Sequence, residues 1–407
     1  VNQQGTGLSE KNQKQKLGGE SMTMLMKWRK GLVLSMVMVL MLGILAACSD
    51  TTEEETKTED KEATSDAPGT GGTAIGFIFV GAKDDYGYNK AAYLGSEAVA
   101  EAFPDLKVLR KENVPETAEA ERVMEEMIRN GAKVIFATSY GHLDPALNVA
   151  KRYPDVVFFH QGGLKNAENL GTYFGNIWET VYLSGITAGK MTKSKKLGYI
   201  AAIPIPQVLL NINAFTMGAK SVNPDITVSS VFTGTWCDPA QQATAANSLL
   251  DQGADVLTQH QDCTKTIIET AERRGAMSVG YHADAAELAP KGWLTGAIWQ
   301  WDEMYVEMAK TAVEGNFVGS KFDAKYRIGV EEGAVQLANF GANVPEDVKA
   351  LIEEKRQAIL DGTLHPFEGP IKAQDGTVKI ADGVKPTVEE LETTDYFVEG
   401  VIGNIPN

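Results

Sequence analysis

The amino-acid sequence predicts an α/β fold of two doubly wound parallel-sheet lobes joined by a hinge. Three observations carry this. Short apolar, β-branched or aromatic runs alternate with stretches of helical period, the pattern of a parallel sheet covered by helices on both faces. The alternation is then written a second time at a nearly constant offset of 122 residues, which takes Ile75 to Leu197, Val134 to Val256 and Val157 to Val279. A further strand run and helix follow the second copy, so the chain has several segments with which to cross between the halves.

In chain order, strands at 75–80, 108–113, 134–138 and 156–161 are separated by helices at 89–103, 117–129 and 143–152. The second copy places strands at 197–203, 228–233, 256–259 and 278–281 and helices at 209–222, 239–252 and 264–274. A period this long belongs to a repeated lobe and not to a solenoid. A helix at 177–191 lies between the copies, and a strand at 294–301 and a helix at 303–314 come after them. Lobe 1 is therefore placed at about 73–175 plus about 300–320, and lobe 2 at about 195–298. The Gly, Pro and acidic content of 342–407 suggests a helix, loop and hairpin packing on a lobe.

The 407 residues hold 54 acidic against 38 basic side chains, a net charge of −16 that repels nucleic-acid phosphates and argues against such a partner. Three cysteines, Cys48, Cys237 and Cys263, with no CxxC spacing exclude a disulfide-dense scaffold and a structural zinc site. Cys237 and Cys263 fall on neighbouring loops of one lobe, which leaves open either a bridge or two free thiols.

Residues 31–47 are uncharged and follow Lys27, Arg29 and Lys30, the layout of an export signal. The stretch ends Leu45-Ala46-Ala47-Cys48, which resembles the lipobox of a bacterial lipoprotein, with Cys48 the acylated first residue of the mature chain. Residues 1–47 are thus read as leader and signal peptide, with the start codon downstream of the first polar stretch. Residues 48–72, in which eight acidic and two basic residues sit among Thr, Ser and Gly, are read as an acidic disordered tether. The body from residue 73 to 407 is placed outside the cell membrane, held there by lipid.

Ligands of open α/β sheets bind beyond the carboxyl ends of the strands. The loops there are 81–89, 139–142 and 161–165 in the first lobe and 204–213, 234–238, 260–263 and 282–286 in the second. With Trp299 and Trp301 they are rich in aromatics, Asp, Asn and Gln. Their only cations are Lys83 and Lys165, and no GxGxxG is present, so an uncharged ligand fits better than an anion. Flat rings stack on Tyr or Trp while carboxylates and amides accept from ring N–H donors; sugars stack in the same way and are the rival class. Asp85, Asp238 and Asp284 each have capping of the next helix as an alternative role. Neither HExxH nor GxSxG occurs, which leaves catalysis without support; His260 and His282 lie on adjacent strand ends with Asp262 and Asp284, where ordinary hydrogen-bonding roles are favoured over a metal set.

The runs Thr138-Ser139-Tyr140-Gly141, Asn211-Ile212-Asn213-Ala214-Phe215, Thr235-Trp236-Cys237-Asp238-Pro239, Gln259-His260-Gln261-Asp262 and Gly280-Tyr281-His282-Ala283-Asp284 resemble the basic membrane protein family of ABC-transporter substrate-binding lipoproteins, in its purine-binding branch. The resemblance covers about 73–341. It implies a type I periplasmic-binding-protein fold, a cleft closing on a purine nucleobase or nucleoside, delivery to an ABC permease with its ATPase, and a monomer with neither cofactor nor catalysis. A ligand-sensing receptor subunit and a sugar-binding protein of the same fold are the alternatives. Matched by position, Asp85 is a polar contact and Tyr88 a ring-stacking residue, and Tyr140, Trp236, Asp238, Asp262 and Asp284 fall at other cleft positions. With Asn89, Ser139, Asn213, Gln261, Tyr281 and Trp299 they complete the candidate ligand-binding set. Nucleoside-binding members place a lysine near Trp299, and this chain has none in 294–301, which favours a free nucleobase. Tyr88 also stands where the purine branch commonly has tryptophan.

Overall fold

Ten parallel strands, four of them buried along their whole length and the outer strands Lys107–Lys111 and Thr227–Phe232 the most exposed, set the frame. The computed structural model describes residues 67–319, 321–322 and 326–406; the expected export signal, Cys48 and residues 49–66 of the expected tether lie outside them. The first sheet contains β1 (Ala74–Ile78), β2 (Lys107–Lys111), β3 (Ala132–Ala137), β4 (Val157–Gln161) and β5 (Leu170–Gly175). Between them run α1 (Tyr88–Ala102), α2 (Ala118–Arg129) and α3 (Leu143–Arg152). The second sheet contains β6 (Lys196–Ala201), β7 (Thr227–Phe232), β8 (Val256–His260), β9 (Met277–His282) and β10 (Trp293–Trp299). Its helices are α4 (Trp178–Met191), α5 (Pro206–Val222), α6 (Pro239–Asp251) and α7 (Lys265–Arg273).

Both sheets have the same parallel order, β2-β1-β3-β4-β5 and β7-β6-β8-β9-β10. Residues such as Ile75, Phe77, Val256 and Val279 are wholly or almost wholly buried, because helices cover both faces of each sheet and leave no polar side to a strand. Local chemistry sets the helix starts: the Thr117 side chain accepts from Glu119 N–H, Asp238 caps α6, and Pro206 and Pro239 open α5 and α6 where no N–H is needed. Helices α4 and α5 cross closely, and a Cβ on Gly218 would lie 2.0 Å from the Tyr182 carbonyl oxygen.

The chain passes between the lobes three times. It leaves β5 for α4 and returns from β10 to α8 (Asp302–Val313), which packs on α1. Then β11 (Arg327–Ile328) extends the first sheet beside β5, and β12 (Val335–Leu337) pairs antiparallel with β10. Glu179 sits at this junction, where its carboxylate accepts from Val330 N–H at 2.8 Å. The C-terminal segment supplies α9 (Glu346–Leu360), the hairpin of β13 (Ile371–Lys372) and β14 (Val378–Ile380), the short α10 (Val388–Leu391) and β15 (Val401–Ile402). The last of these, which the composition of the segment did not suggest, adds a parallel strand to the outer edge of β7. The segment also reaches the first sheet, where buried Arg327 donates from Nε to Glu392 Oε1 at 2.6 Å and from Nη2 to Gly163 O at 3.0 Å.

Candidate ligand-binding cleft

A narrow cavity of about 30 Å³ lies between the carboxyl ends of the two sheets. Tyr88, Ser139, Tyr140, Gly162 and Phe174 line it from the first lobe, and Ile205, Gln207, Trp236, His260, Asp262 and His282 from the second. Tyr88 is the first residue of α1 and is buried, whereas Tyr140 lies in the turn after β3, 42% exposed, at the mouth. Trp236 faces His260 across 6.1 Å between ring centroids. No lysine or arginine lines the cavity.

Two polar atoms in this wall lack partners. His282 ends β9 with φ of 74°, and its Nδ1 receives the Trp299 indole N–H at 2.8 Å. An indole N–H can only donate, so Nδ1 accepts and the neutral ring carries its proton on Nε2. That Nε2 is buried and has no hydrogen-bond partner. Burial, with the neighbouring His260 adding to it, holds the His282 pKa well below the usual imidazole range and keeps the ring uncharged. Burial likewise pushes His260 down to about 3; it pairs with Asn211 Nδ2 at 3.2 Å.

The second is the Asp262 carboxylate. It is 7% exposed, and among the described residues no group donates to it. Its main chain is fully used, N–H to Trp236 O at 2.8 Å and O from Tyr88 N–H at 3.1 Å. Burial, then the charges of Asp85 and Glu116, raises its pKa well above the usual aspartate value. Burial and the Asp262 charge also hold the Tyr88 phenol protonated. The slot therefore offers a donor, His282 Nε2–H, and the Asp262 carboxyl, whose protonated form burial favours until a ligand donor meets it, between aromatic walls.

Of the residues singled out in the sequence, Tyr88, Ser139, Tyr140, Trp236 and Asp262 meet at this cavity. The others are placed differently. Asp85 accepts from the N–H groups of Gly87, Asn89 and Lys90 and from Asn89 Nδ2, so it shapes the start of α1. Asn89 uses its Oδ1 for Gly81 N–H at 3.0 Å. Asp238 caps α6 through Ala240 and Gln241 N–H, and Asp284 closes a turn on Ala286 N–H at 2.9 Å. Asn213 points away from the cavity and holds the C-terminal segment through Tyr396 O and Val398 N–H, both at 2.9 Å. Gln261 braces neighbouring loops through Gln242 and Thr233. Tyr281 and Trp299 lie behind the histidines, Tyr281 bonded to Asn211 and Trp299 to His282.

Phe174, Ile205, Gln207 and the cavity-facing histidines were not singled out as ligand contacts. Gln207 and Ile205 fall within a flagged loop; Phe174 belongs to β5, whose Gly and Thr content hides its strand pattern. Cys237 and Cys263 are joined as a disulfide with Cα atoms 5.3 Å apart, which ties the loop bearing Trp236 to the loop bearing Asp262. No group of three or more His, Cys, Asp or Glu suited to a metal occurs among the described residues, and no described helix is long and apolar enough to cross a membrane.

Two hinged α/β lobes with a small-molecule slot at the facing strand ends define a type I periplasmic solute-binding fold. A solute-binding protein of an ABC transporter from Conexibacter woesei superimposes with a TM-score of 0.61 at 22% identity, over 72% of this chain and 98% of that one. The family model described as ABC transporter substrate-binding protein PnrA-like matches residues 73–366. A purine-binding protein of Brucella abortus is 38% identical over 333 residues, 82% of this chain and 93% of the relative. A Haloferax volcanii protein named as a glucose-binding protein of an ABC transporter is 33% identical, over 88% of each chain. The chain belongs to the Bmp family of ABC transporter substrate-binding proteins.

Proposed function

We propose that this protein captures a purine nucleobase, or a flat uncharged heterocycle of the same donor–acceptor pattern, and delivers it to an ABC permease from a lipid anchor on Cys48. The observation that carries the ligand class is the buried, unpartnered His282 Nε2–H beside the Asp262 carboxyl in one aromatic-lined slot. A purine edge carries ring N–H and exocyclic amino donors for the carboxylate and ring nitrogens or carbonyl oxygens for the imidazole. Leaving either wall atom unpaired costs about 1–3 kcal/mol, so a ligand lacking one of these groups is rejected. Tyr88 and Trp236, from opposite lobes, supply ring faces, each stack worth roughly 1–3 kcal/mol.

Nothing cationic lines the slot among the described residues, which disfavours nucleotides. The purine-binding relative supports this reading, and the glucose-named relative keeps a sugar as the second reading, since Trp236 could also face a pyranose ring. The test is titration calorimetry of the mature chain with adenine, guanine, hypoxanthine, their nucleosides and glucose, together with mass spectrometry of small molecules released on denaturation. A nucleobase should bind tightest. Binding of glucose with no response to any purine would overturn the proposal.

A further inference from the structure

Beside the cavity, the loop that joins β1 to α1 crosses to the second lobe and docks there through its main chain. Tyr88 N–H donates to Asp262 O at 3.1 Å, Thr264 N–H to Asp85 O at 3.1 Å, and Thr264 Oγ1 to Tyr86 O at 2.6 Å. Tyr86 adopts φ of 56°, and its ring packs on the second lobe's apolar cluster that contains Ile268, Ala285 and Ala289. Gly87 fits only because it lacks a side chain: a Cβ there would sit 1.8 Å from Asp262 O. The receiving loop is itself fixed, since Cys263, between Asp262 and Thr264, is bridged to Cys237.

We infer that these two loops form a closing catch, in which Thr264, Tyr86 and Gly87 set how long a ligand stays bound without touching it. The inference rests on the proposed function in taking ligand release to require separation of the lobes. Closure is then driven by two additive contributions, ligand contacts and lobe–lobe contacts, and only the first depends on which ligand is present. Tyr88 and Asp262 belong to both, because each gives its side chain to the cavity and its main chain to the catch. That shared pair couples occupancy to closure.

The catch makes a prediction that direct ligand contacts do not. Thr264→Val keeps the shape of a fully buried side chain and deletes one hydrogen bond across the cleft. Stopped-flow dissociation of adenine, hypoxanthine and guanine should speed up about fivefold for all three, with their relative affinities unchanged. Gly87→Ala should prevent full docking, so that the ligand-saturated protein scatters X-rays with a larger radius of gyration than wild type. Unchanged dissociation rates in both variants, or a ligand-dependent change in Thr264→Val, would overturn the catch.

A ligand-free measurement separates this inference from the one beneath it. Spin labels at Ala118 on α2 and Thr244 on α6 report the lobe separation directly. Wild type should show a docked population that Gly87→Ala lacks and Thr264→Val reduces. If no tested ligand binds wild type but this difference is seen, the proposed ligand class fails and the catch stands. Identical label distances in all three proteins overturn the catch whatever binds.

Discussion

Trp299 donates its indole N–H to His282 Nδ1 at 2.8 Å and so decides which edge of that imidazole faces the cavity. The two rings lie nearly parallel, 22° apart, and Trp299 is itself stacked on Trp301 at 4.7 Å. The donor of the slot is thus set by a residue that does not line it. Trp299→Phe keeps an aromatic ring at a smaller volume and removes the N–H, leaving His282 free to exchange tautomers. Nucleobase affinity should fall about tenfold, roughly the worth of one buried hydrogen bond. Nitrogen-15 NMR of the His282 ring should show a mixture of tautomers where wild type shows one.

Asp262 offers a second prediction with opposite signs for binding and stability. Its folded pKa is raised, so the stability it contributes is complete below the unfolded value near 3.8 and is lost as pH climbs toward the folded value. Asp262→Asn should therefore melt at the same temperature as ligand-free wild type near pH 4 and at a higher one at pH 7.5. The same substitution should weaken nucleobase binding by about 10- to 100-fold, because an amide replaces a carboxyl that ligand donors would hold in its ionised form. Calorimetric melting at both pH values and a titration check the two halves separately.

Glu179 gives the junction between lobes a pH dependence. Burial, with the Glu332 and Glu331 charges adding to it, pushes its pKa up to about 7, while the bond from Val330 N–H acts in the opposite direction. The neutral form is favoured in the fold, so stability is full below the unfolded value near 4.5 and declines as pH rises through about 7. Glu179→Gln retains an acceptor for Val330 and does not titrate. Between pH 5 and 8 wild type should lose about 2 kcal/mol relative to the variant, read from urea unfolding at each pH.

Asn213 distinguishes a structural role from a binding one. Its amide receives Val398 N–H and donates to Tyr396 O. Asn213→Ala should cost about 1–3 kcal/mol and raise proteolytic nicking in the C-terminal segment, with nucleobase affinity within twofold of wild type. A loss of affinity without a loss of stability would return Asn213 to the ligand site.

The fold class was legible because buried parallel strands need continuous apolar runs, and β1 and β6 start at Ala74 and Lys196, one repeat interval apart. The strand β5 was hidden because Gly171, Thr172 and Gly175 dilute its pattern, although burial is as complete there as in β4. In the site, aromatics at strand ends pointed to Tyr88, Tyr140 and Trp236. The aspartates were harder: Asp85, Asp238, Asp262 and Asp284 occupy similar loop positions, yet three have amides of the following turn folded back onto the carboxylate and one does not. Whether a backbone N–H returns depends on loop conformation, which residue type alone does not determine. The orientation of His282 depends on an adjacent strand, and Gln207 and Phe174 reach the slot only once the lobes face each other.

Val401 and Ile402 lie along the outer side of β7 and occupy hydrogen-bonding groups that the six-residue strand would otherwise present to solvent. An uncovered strand of that length is a template for pairing with a neighbouring molecule. Proteolytic trimming ahead of Val398 would therefore leave the cavity walls in place and open the β7 edge to edge-to-edge pairing with another copy.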